Sequence, residues 1–587
     1  MTIKEELPPG EVPPEEIQEA NMMLSASFSD MFKPLIGPFG SKILLAQGAT
    51  KVEAADLITN SALSIVKELH YQHPTADILL NAGLSQGERV GDGTATVMVL
   101  VGELVKRGYE LKSEGVHQNI VIKGYEKSLA VVKEVLAEIA SPVDVRSEGS
   151  EDILRKVAKT ALKQGDFGER DKVVDAVVES VKRLSDTNEP IDVDDIAIET
   201  KSGSKVRETS FIEGVVIDRE VLDALPTEME NARIALLDFP IEHKEPKIKG
   251  RKELATGTGA RERSKAGETL GAFDFHVKFS KASHFREFRE ARAKLFDEVV
   301  EPVVKSGANV ICCRWGVDDD ALGKFRDAGI MLIKRVKLTD LVRLERSTGG
   351  KIVKAISALS ADKFGFAGRV VQRKIGGEDY VFVEDCARKN SATIFIGGTS
   401  LRILEGLIGE IKSALHAVAQ VFDDGRVLPG GGAVEAECAY RLRQQANKQS
   451  GKEQLAMEVF ADALESIPKA IAKNSGMDHI DTLTRLRSEH FAGNTNAGIS
   501  GQAKRVSDDV MAEGILEPLN VKLQAFITAT EAAAGMLRID DLHIATSAVR
   551  EEAEDIETRI AGRTRELIET ERRPEEFKAV KGGKVKY

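Results

Sequence analysis

A short glycine-rich stretch around Asp92 has the residue types that a phosphate site needs. It reads Gly91-Asp92-Gly93-Thr94-Ala95-Thr96 and lies between two segments with helical apolar periodicity, residues 78–84 and 97–105. The pattern predicts a turn that opens a helix. There, glycines let backbone N–H groups approach an anion, the helix dipole favours negative charge, and Asp92 can hold a magnesium ion that bridges phosphate oxygens. Asp-Gly turns are common for conformational reasons alone, so a purely structural turn is the alternative.

A second glycine turn precedes a helix in the last quarter of the chain. It reads Leu428-Pro429-Gly430-Gly431-Gly432, follows an amphipathic helix predicted over residues 403–422, and leads into a helix from Ala433. Between the two turns, the composition changes at about Pro190. We therefore expect one helical domain built from both ends of the chain, with other domains inserted into it.

The middle of the chain has strand-like runs that alternate with helical ones. Residues 233–237, 309–313 and 392–398 are short and rich in β-branched or apolar side chains, which is typical of strands. The fold class predicted is multidomain, mostly α with an α/β middle. Residues 244–271 are Gly-rich and net basic, which favours a solvated surface loop over a specific anion site. Residues 115–140 are expected to form two helical stretches.

Composition excludes several classes of protein. The chain has 587 residues, 42% of them hydrophobic, and its formal net charge is -12. The acidic balance argues against a nucleic-acid partner. The four cysteines, Cys312, Cys313, Cys386 and Cys438, lack the paired spacing of a zinc site. There is no signal core and no run near the roughly 18 apolar residues of a membrane span, so we expect a cytoplasmic protein without a membrane partner.

Five motifs occur in the order and spacing found in group II chaperonins. They are Leu35-Ile36-Gly37-Pro38-Phe39-Gly40, Ile58-Thr59-Asn60, Val90-Gly91-Asp92-Gly93-Thr94, Leu428-Pro429-Gly430-Gly431-Gly432-Ala433-Val434-Glu435 and Leu537-Arg538-Ile539-Asp540-Asp541. From about Ile17 to Ala545, the chain resembles subunits of the archaeal thermosome and of eukaryotic TRiC. Neither a Walker lysine loop nor a Rossmann fingerprint competes with this resemblance.

The resemblance implies a group II chaperonin fold with three domains. A discontinuous helical equatorial domain would comprise residues 1–145 and 405–546. An intermediate domain would comprise 146–218 and 368–404, and an α/β apical domain 219–367. The apical domain would carry a helical protrusion, the lid, at about 273–292. Residues 547–587 would form a charged C-terminal extension. Double rings of this or related subunits around non-native protein clients are also implied.

The resemblance further implies an equatorial site for ATP or ADP with Mg²⁺. Asp92 would bind the metal, and Asn474 and Glu517 would lie near the base or ribose. The nucleotide-binding positions carried over are Gly37, Pro38, Gly40, Asp92, Gly93, Thr94, Ala95, Thr96, Gly431, Asn474 and Glu517.

The chain departs from the family where two carboxylates would help to activate the attacking water. Ser61 and Ser413 occupy those positions. A third departure is at the family's nucleotide-sensing lysine, which would align with Gly165, although Lys163 can substitute in a shifted register. A serine hydroxyl orients water but does not accept its proton near neutral pH, whereas a positioned carboxylate contributes roughly 10²–10⁴ in rate. Simple divergence with a compensating acid, such as Asp56 or Asp423, is the alternative.

Three functions follow from these patterns. The first is an ATP-binding chaperonin subunit that encloses or holds non-native protein and hydrolyses ATP weakly or not at all. The second is a structural ring assembly without a folding cycle. The third is a fully active ATP-dependent chaperonin with a repositioned acid.

Overall fold

The structure is a computed structural model. It describes residues 14–45, 57–69, 71, 73–147, 149–163, 170–185, 191–202, 210–222, 225–241, 297–375, 377–388, 392–398 and 401–539. The basic insertion at 244–271, the expected lid and the C-terminal extension lie outside the described residues, as do Asp56 and Gly165.

Helices make up most of both ends of the chain. The α-helices are α1 (Pro14–Phe32), α2 (Ala62–Glu68), α3 (Pro74–Arg89), α4 (Thr94–Ser113), α5 (Gln118–Ile139), α6 (Ser150–Ala161), α7 (Arg170–Ser185), α8 (Asp319–Asp327), α9 (Leu338–Thr348), α10 (Leu401–Asp424), α11 (Ala433–Ala446), α12 (Glu453–Leu464), α13 (Ser466–Asn474), α14 (His479–Phe491) and α15 (Leu519–Leu537). Residues 297–305 are also helical.

Strands are concentrated in the middle of the chain. They are β1 (Ile43–Leu45), β2 (Leu57–Thr59), β3 (Ser141–Pro142), β4 (Ile196–Ser202), β5 (Ser210–Ile212), β6 (Gly214–Ile217), β7 (Glu228–Leu237), β8 (Val310–Cys313), β9 (Met331–Ile333), β10 (Ile352–Val353), β11 (Gly365–Ile375), β12 (Glu378–Cys386), β13 (Ala392–Gly398), β14 (Arg426–Pro429), β15 (Gly498–Ser500), β16 (Arg505–Ser507) and β17 (Leu516–Pro518).

One seven-stranded mixed sheet dominates the middle of the molecule. Its order is β6-β12-β11-β7-β8-β9, with β10 paired to β7, and strands β7, β8, β9 and β10 run parallel. Strands β8 and β9 and the last four residues of β7 are apolar and buried, as parallel strands covered on both faces require. The parallel β4–β13 pair, with β5 antiparallel at the other edge of β13, forms a separate sheet.

The buried apolar side chains form three main cores. One joins helices from the two parts of the chain, α1 to α5 with α11, α12, α13 and α15. The second surrounds the seven-stranded sheet, and the third lies between α6, α7, α10 and the β4–β13 sheet. The predicted arrangement, a helical unit built from both ends around an α/β middle, is confirmed.

The positions of two sheets bear on the expected domain boundaries, which remain predictions. Strand β11 crosses residue 367, and β12 pairs with it in the seven-stranded sheet, whereas β13 belongs to the other sheet. If each domain keeps its own sheet, the boundary between the apical domain and the second part of the intermediate domain falls after Cys386.

The expectation of two helical stretches over 115–140 was wrong. Residues 118–139 form one continuous helix, and Gly124 within it lies against Ala456, where an added Cβ would be only 2.4 Å from Ala456 Cβ.

Helix α4 lies at the centre of the helical core. Its residues from Val97 to Val101 are all at most 1% exposed, and a helix that is apolar on every side is a buried one. On one side it contacts α1, where Gly102 lets the Ser25 carbonyl and the Ser29 side chain approach. At its far end the Tyr109 hydroxyl donates a hydrogen bond to the Met536 carbonyl, 3.2 Å away. The core therefore closes only when both ends of the chain are present.

Replacing Gly102 with alanine should destabilise the protein despite alanine's better helix propensity. The new methyl group would lie 2.4 Å from the Ser25 carbonyl oxygen, and overpacking of this kind costs about 1–3 kcal/mol. Gly535→Ala in α15 is the matched control, because no atom lies within 4 Å of its Cβ position. That change should stabilise by up to about 1 kcal/mol. Thermal unfolding of both variants measures this, and equal shifts would contradict the packing described.

Candidate nucleotide site

A single cavity of about 340 Å³ lies where the helical core meets the α6, α7 and α10 core. That volume is within the range of about 300–1,000 Å³ typical of small-molecule sites. Its walls come from the N-terminus of α4, the end of α6, the inner face of α10 and the segments 499–502 and 513–518. The two predicted glycine turns meet here.

Most of the sequence-predicted nucleotide residues line this cavity. Those that do are Gly37, Pro38, Asp92, Gly93, Thr94, Ala95, Thr96, Gly431 and Glu517. Gly40 and Asn474 are not among the lining residues. Asn474 instead donates two hydrogen bonds from its side-chain amide, 2.9 Å to the Lys33 carbonyl and 2.8 Å to the Ile36 carbonyl. It thus fixes the backbone of the turn that carries Gly37 and Pro38.

The Asp92 turn opens helix α4 as predicted. Gly93, at φ +82°, is the N-cap residue and adopts the left-handed conformation that favours glycine. The Gln86 amide donates to the Asp92 carbonyl at 2.8 Å and to the Val521 carbonyl at 3.2 Å, which holds the turn against α15. Burial raises the pKa of the Asp92 carboxyl, while the Gly93 N–H, Lys163 and Lys522 oppose that rise.

The second glycine turn forms the opposite wall. Gly431 has φ +63°, and a Cβ there would lie 2.6 Å from the Ile499 carbonyl oxygen, so only glycine fits. The Ile499 N–H donates to the Gly431 carbonyl at 2.9 Å, which ties the turn to the segment 499–501 of the cavity wall.

A buried lysine joins two carboxylates near this wall. Lys522 Nζ lies 2.6 Å from Glu435 Oε1 and 2.8 Å from Glu517 Oε2. Burial alone would lower the pKa of Lys522, but the two glutamates outweigh burial and raise it. Burial raises the pKa of Glu517; Lys522 opposes the rise, whereas Glu435 and Asp92 add to it. Sequence reasoning missed Glu435 and Lys522 as parts of the site because their pairing depends on α11 packing against α15.

Ser61 and Ser413 both line the cavity, as the family alignment implies for the missing carboxylates. Ser61 is the N-cap of α2, and its hydroxyl accepts a hydrogen bond from the Ser64 N–H at 3.4 Å. The Ser413 hydroxyl, on α10, donates to the Gly91 carbonyl at 3.5 Å. The two hydroxyls therefore face the site, but neither can serve as a proton acceptor near neutral pH.

Lys163 lies at the end of α6 and reaches across to the helical core. Its ammonium group donates to the Leu35 carbonyl at 2.8 Å and to the Asn60 carbonyl at 3.0 Å. Burial lowers its pKa, and the nearby Glu410 and Asp92 carboxylates oppose that change. The Lys163 side chain therefore lies in the cavity wall. The sequence, aligned in a shifted register, predicted Lys163 as a substitute for the family's nucleotide-sensing lysine.

Glu410 and Arg170 are among the charged residues in the wall that were not predicted from the sequence. Glu410 on α10 is only 3% exposed and lines the cavity together with Ser413 and Ala417. Arg170, at the start of α7, also lines it and donates to the Lys159 and Leu162 carbonyls. The signal for Glu410 was its spacing of three from Ser413, which places both side chains on one helix face.

Asp423, one of the suggested compensating acids, is not among the residues that line the cavity. It is an exposed residue near the end of α10, ten positions beyond Ser413. Burial raises the pKa of its carboxyl, but its position gives it no access to the site.

The cavity fits a magnesium-bound nucleotide by its donors. Within the part of the chain described, the N-termini of α4 and α11 carry no side-chain cap. The first N–H groups of α4 remain available to an anion, whereas the Ala433 N–H of α11 donates to the Gly430 carbonyl at 3.2 Å. The buried Thr94 hydroxyl points into the same region and has no hydrogen-bond partner among the described residues. Asp92 supplies one hard oxygen ligand, and Mg²⁺ is typically held by one or two carboxylates with phosphate oxygens and waters.

Two features are absent from the described ranges. They contain no group of three or more His, Cys, Asp or Glu side chains arranged to hold a metal ion, so a metal at Asp92 depends on oxygens from its ligand and from water. No helix among them is long and apolar enough to cross a membrane.

Comparisons with known proteins agree with this geometry. The profile of the TCP-1/cpn60 chaperonin family matches residues 28–270 and 268–547. A thermosome subunit of Methanothermococcus thermolithotrophicus is 36% identical over 531 residues, which cover 90% of this chain and 91% of that protein. The chain belongs to the TCP-1/cpn60 chaperonin family. A thermosome subunit of Methanopyrus kandleri is 35% identical, with coverage of 90% and 92%.

A solved chaperonin gives the same result at the level of structure. The open-state monomer of a group II chaperonin from Methanococcoides burtonii aligns with a TM-score of 0.54 and 33% identity, covering 77% of this chain and all of that one. The predicted family and the group II chaperonin fold are thereby confirmed. The helical protrusion that belongs to that fold falls outside the described residues.

Removing the buried lysine of this chaperonin should destabilise it strongly. In Lys522→Met, Glu435 would remain buried without its cation, which typically costs about 3–5 kcal/mol. Lys127→Met is the matched control, since Lys127 pairs with Glu453 at the surface, where such pairs contribute less than about 1 kcal/mol. Denaturant-induced unfolding compares the two. Similar losses in both variants would show that the buried cluster does not have this role.

Proposed function

We propose that this chain is a cytoplasmic chaperonin ring subunit that binds ATP with Mg²⁺ and hydrolyses it slowly while holding or enclosing non-native protein. One observation carries the proposal. A single cavity keeps the anion-binding parts of a nucleotide site, whereas the two positions expected to activate water bear hydroxyl groups at Ser61 and Ser413.

Binding and hydrolysis rest on different groups. The phosphates would be held by the N–H groups at the N-termini of α4 and α11, the metal by Asp92, and Lys163 would add positive charge. None of these interactions uses residue 61 or 413. Since a positioned carboxylate contributes roughly 10²–10⁴ in rate, losing two should slow the chemical step far more than it weakens binding.

The client-handling role rests on family membership. Thermosome subunits are the relatives named above, and a subunit of such an assembly is proposed to form double rings with itself or with related subunits. Electron microscopy with and without ATP tests ring formation and closure. Suppression of the aggregation of a denatured client protein, with ATP and with a non-hydrolysable analogue, tests holding. Rings that respond to neither nucleotide nor client would favour a purely structural assembly.

Asp92→Asn should abolish the magnesium dependence of nucleotide binding. The amide lacks the negative charge that a hard cation prefers. The ratio of the ATP affinity with Mg²⁺ to that without it should therefore fall at least about tenfold. Calorimetric titration with Mg²⁺ and with chelator measures this. Asp423→Asn, outside the cavity, is the control and should bind as the parent protein does. Equal magnesium dependence in both variants would contradict the role given to Asp92.

Restoring both carboxylates should accelerate hydrolysis. Ser61→Asp with Ser413→Asp is expected to raise the single-turnover rate by roughly 10²-fold, the low end for a positioned base. Aspartate is a good N-cap, so α2 should keep its cap at residue 61. Ser488→Asp, exposed on α14, controls for added charge. A parent protein that already hydrolyses ATP at the rate of an ordinary archaeal chaperonin would refute slow hydrolysis.

A further inference from the structure

One carboxylate is present in the cavity wall beside the serines. Glu410 precedes Ser413 by three residues on α10, so the two side chains project from the same face, with Cβ atoms typically about 5–6 Å apart. Both line the cavity, and Glu410 is 3% exposed. Glutamate is rarely buried to this degree, and a buried carboxylate in a cleft is a candidate functional group.

Helix α10 packs closely against Ser61 at the residue before Glu410. A Cβ at Gly409 would lie 2.7 Å from Ser61 Cβ and 2.9 Å from Ser61 Oγ. Ser61, Glu410 and Ser413 all line the same cavity.

The cations near Glu410 connect it to the metal-binding side of the cavity. Lys163 interacts electrostatically with both Glu410 and Asp92, and Arg170 interacts with Glu410. A structural reading would make Glu410 only a counter-charge for these cations. Each cation, however, already donates to two backbone carbonyls: Lys163 to Leu35 and Asn60, and Arg170 to Lys159 and Leu162. Their placement therefore has support that does not depend on Glu410.

We propose that Glu410 is the proton acceptor for the slow hydrolysis of ATP by this chain, in place of the carboxylates missing at 61 and 413. The inference rests on the nucleotide binding proposed above. Glu410 takes one proton from a water whose oxygen bonds to the γ-phosphorus. The bond from that phosphorus to the β,γ-bridging oxygen breaks, and its electron pair stays with ADP. The products are ADP and inorganic phosphate, and Glu410 returns its proton to solvent.

The position of Glu410 accounts for slow hydrolysis. The family's two carboxylates would lie on separate elements, at residues 61 and 413. Here they are replaced by one longer side chain, Glu410, which is one helical turn from residue 413. Ser413 and Ser61 can still orient the water by hydrogen bonding, but proton transfer is left to one group. A general base must be within hydrogen-bond reach of the proton that it removes, so a displaced base works less efficiently.

The test compares Glu410→Gln with the parent protein and with Asp423→Asn, which alters a carboxyl of the same helix outside the cavity. Glu410→Gln should lower the single-turnover rate by about 100-fold. Its affinity for ADP with Mg²⁺ and its thermal midpoint should match those of the parent. Its affinity for ADP with aluminium fluoride, which mimics the transferring phosphoryl group, should fall at least about tenfold, since the carboxylate that holds the water is gone. Adding Ser413→Asp to Glu410→Gln should restore turnover.

Four results would overturn the proposal. An unchanged rate in Glu410→Gln, or a parent protein that binds nucleotide without ever hydrolysing it, removes Glu410 from the chemistry and leaves nucleotide binding intact. Parallel loss of ADP affinity, thermal midpoint and rate, without rescue by Ser413→Asp, makes Glu410 a structural counter-charge. A parent protein that binds no ATP at all refutes both the inference and the proposed function.

Discussion

One side-chain amide joins the two ends of this chain at its phosphate turn. Gln86 donates to the carbonyl that precedes Gly93 and to Val521, a residue 435 positions away in sequence. The N-terminus of α4 is therefore held in place by α15, and the same pairing of chain ends recurs where Tyr109 reaches Met536. Neither end can form the nucleotide cavity by itself, so assembly of the site is inseparable from closure of the helical core.

Two buried lysines organise the electrostatics around Asp92. Lys522 neutralises Glu435 and Glu517 on one side, and Lys163 faces Asp92 and Glu410 on the other. Burial makes a charge costly unless it is balanced or hydrogen-bonded, and the contacts of Lys522 with Glu435 and Glu517 meet that need. A cavity whose charges are held in this way can take up a highly charged ligand without large rearrangement of its own side chains.

Local patterns predicted the phosphate turn well, and tertiary packing determined the rest. Glycines, an aspartate and a following apolar helix encode the Asp92 turn within six residues, so its position could be read from the sequence. Asn474 illustrates the opposite case, because only packing shows that its amide holds the turn at Lys33–Ile36 and does not line the cavity. Glu410 could have been noticed from its spacing to Ser413, but nothing in the sequence says which face of α10 meets the cavity. The two helical stretches expected over 115–140 are one helix, and its Gly124 provides a close contact with Ala456 that only packing reveals.

Helix α10 belongs to two parts of the molecule at once. Its 24 residues extend for about 36 Å, packing in the core with α6 and α7, and its inner face forms the wall that bears Glu410 and Ser413. A continuous helix of this length moves as a stiff rod. Ser413 lies near the middle of this rod, so a displacement of the cavity wall at Ser413 would shift both ends together, including the end at Leu401 that follows strand β13. The cavity and the β4–β13 sheet thus share one rigid element.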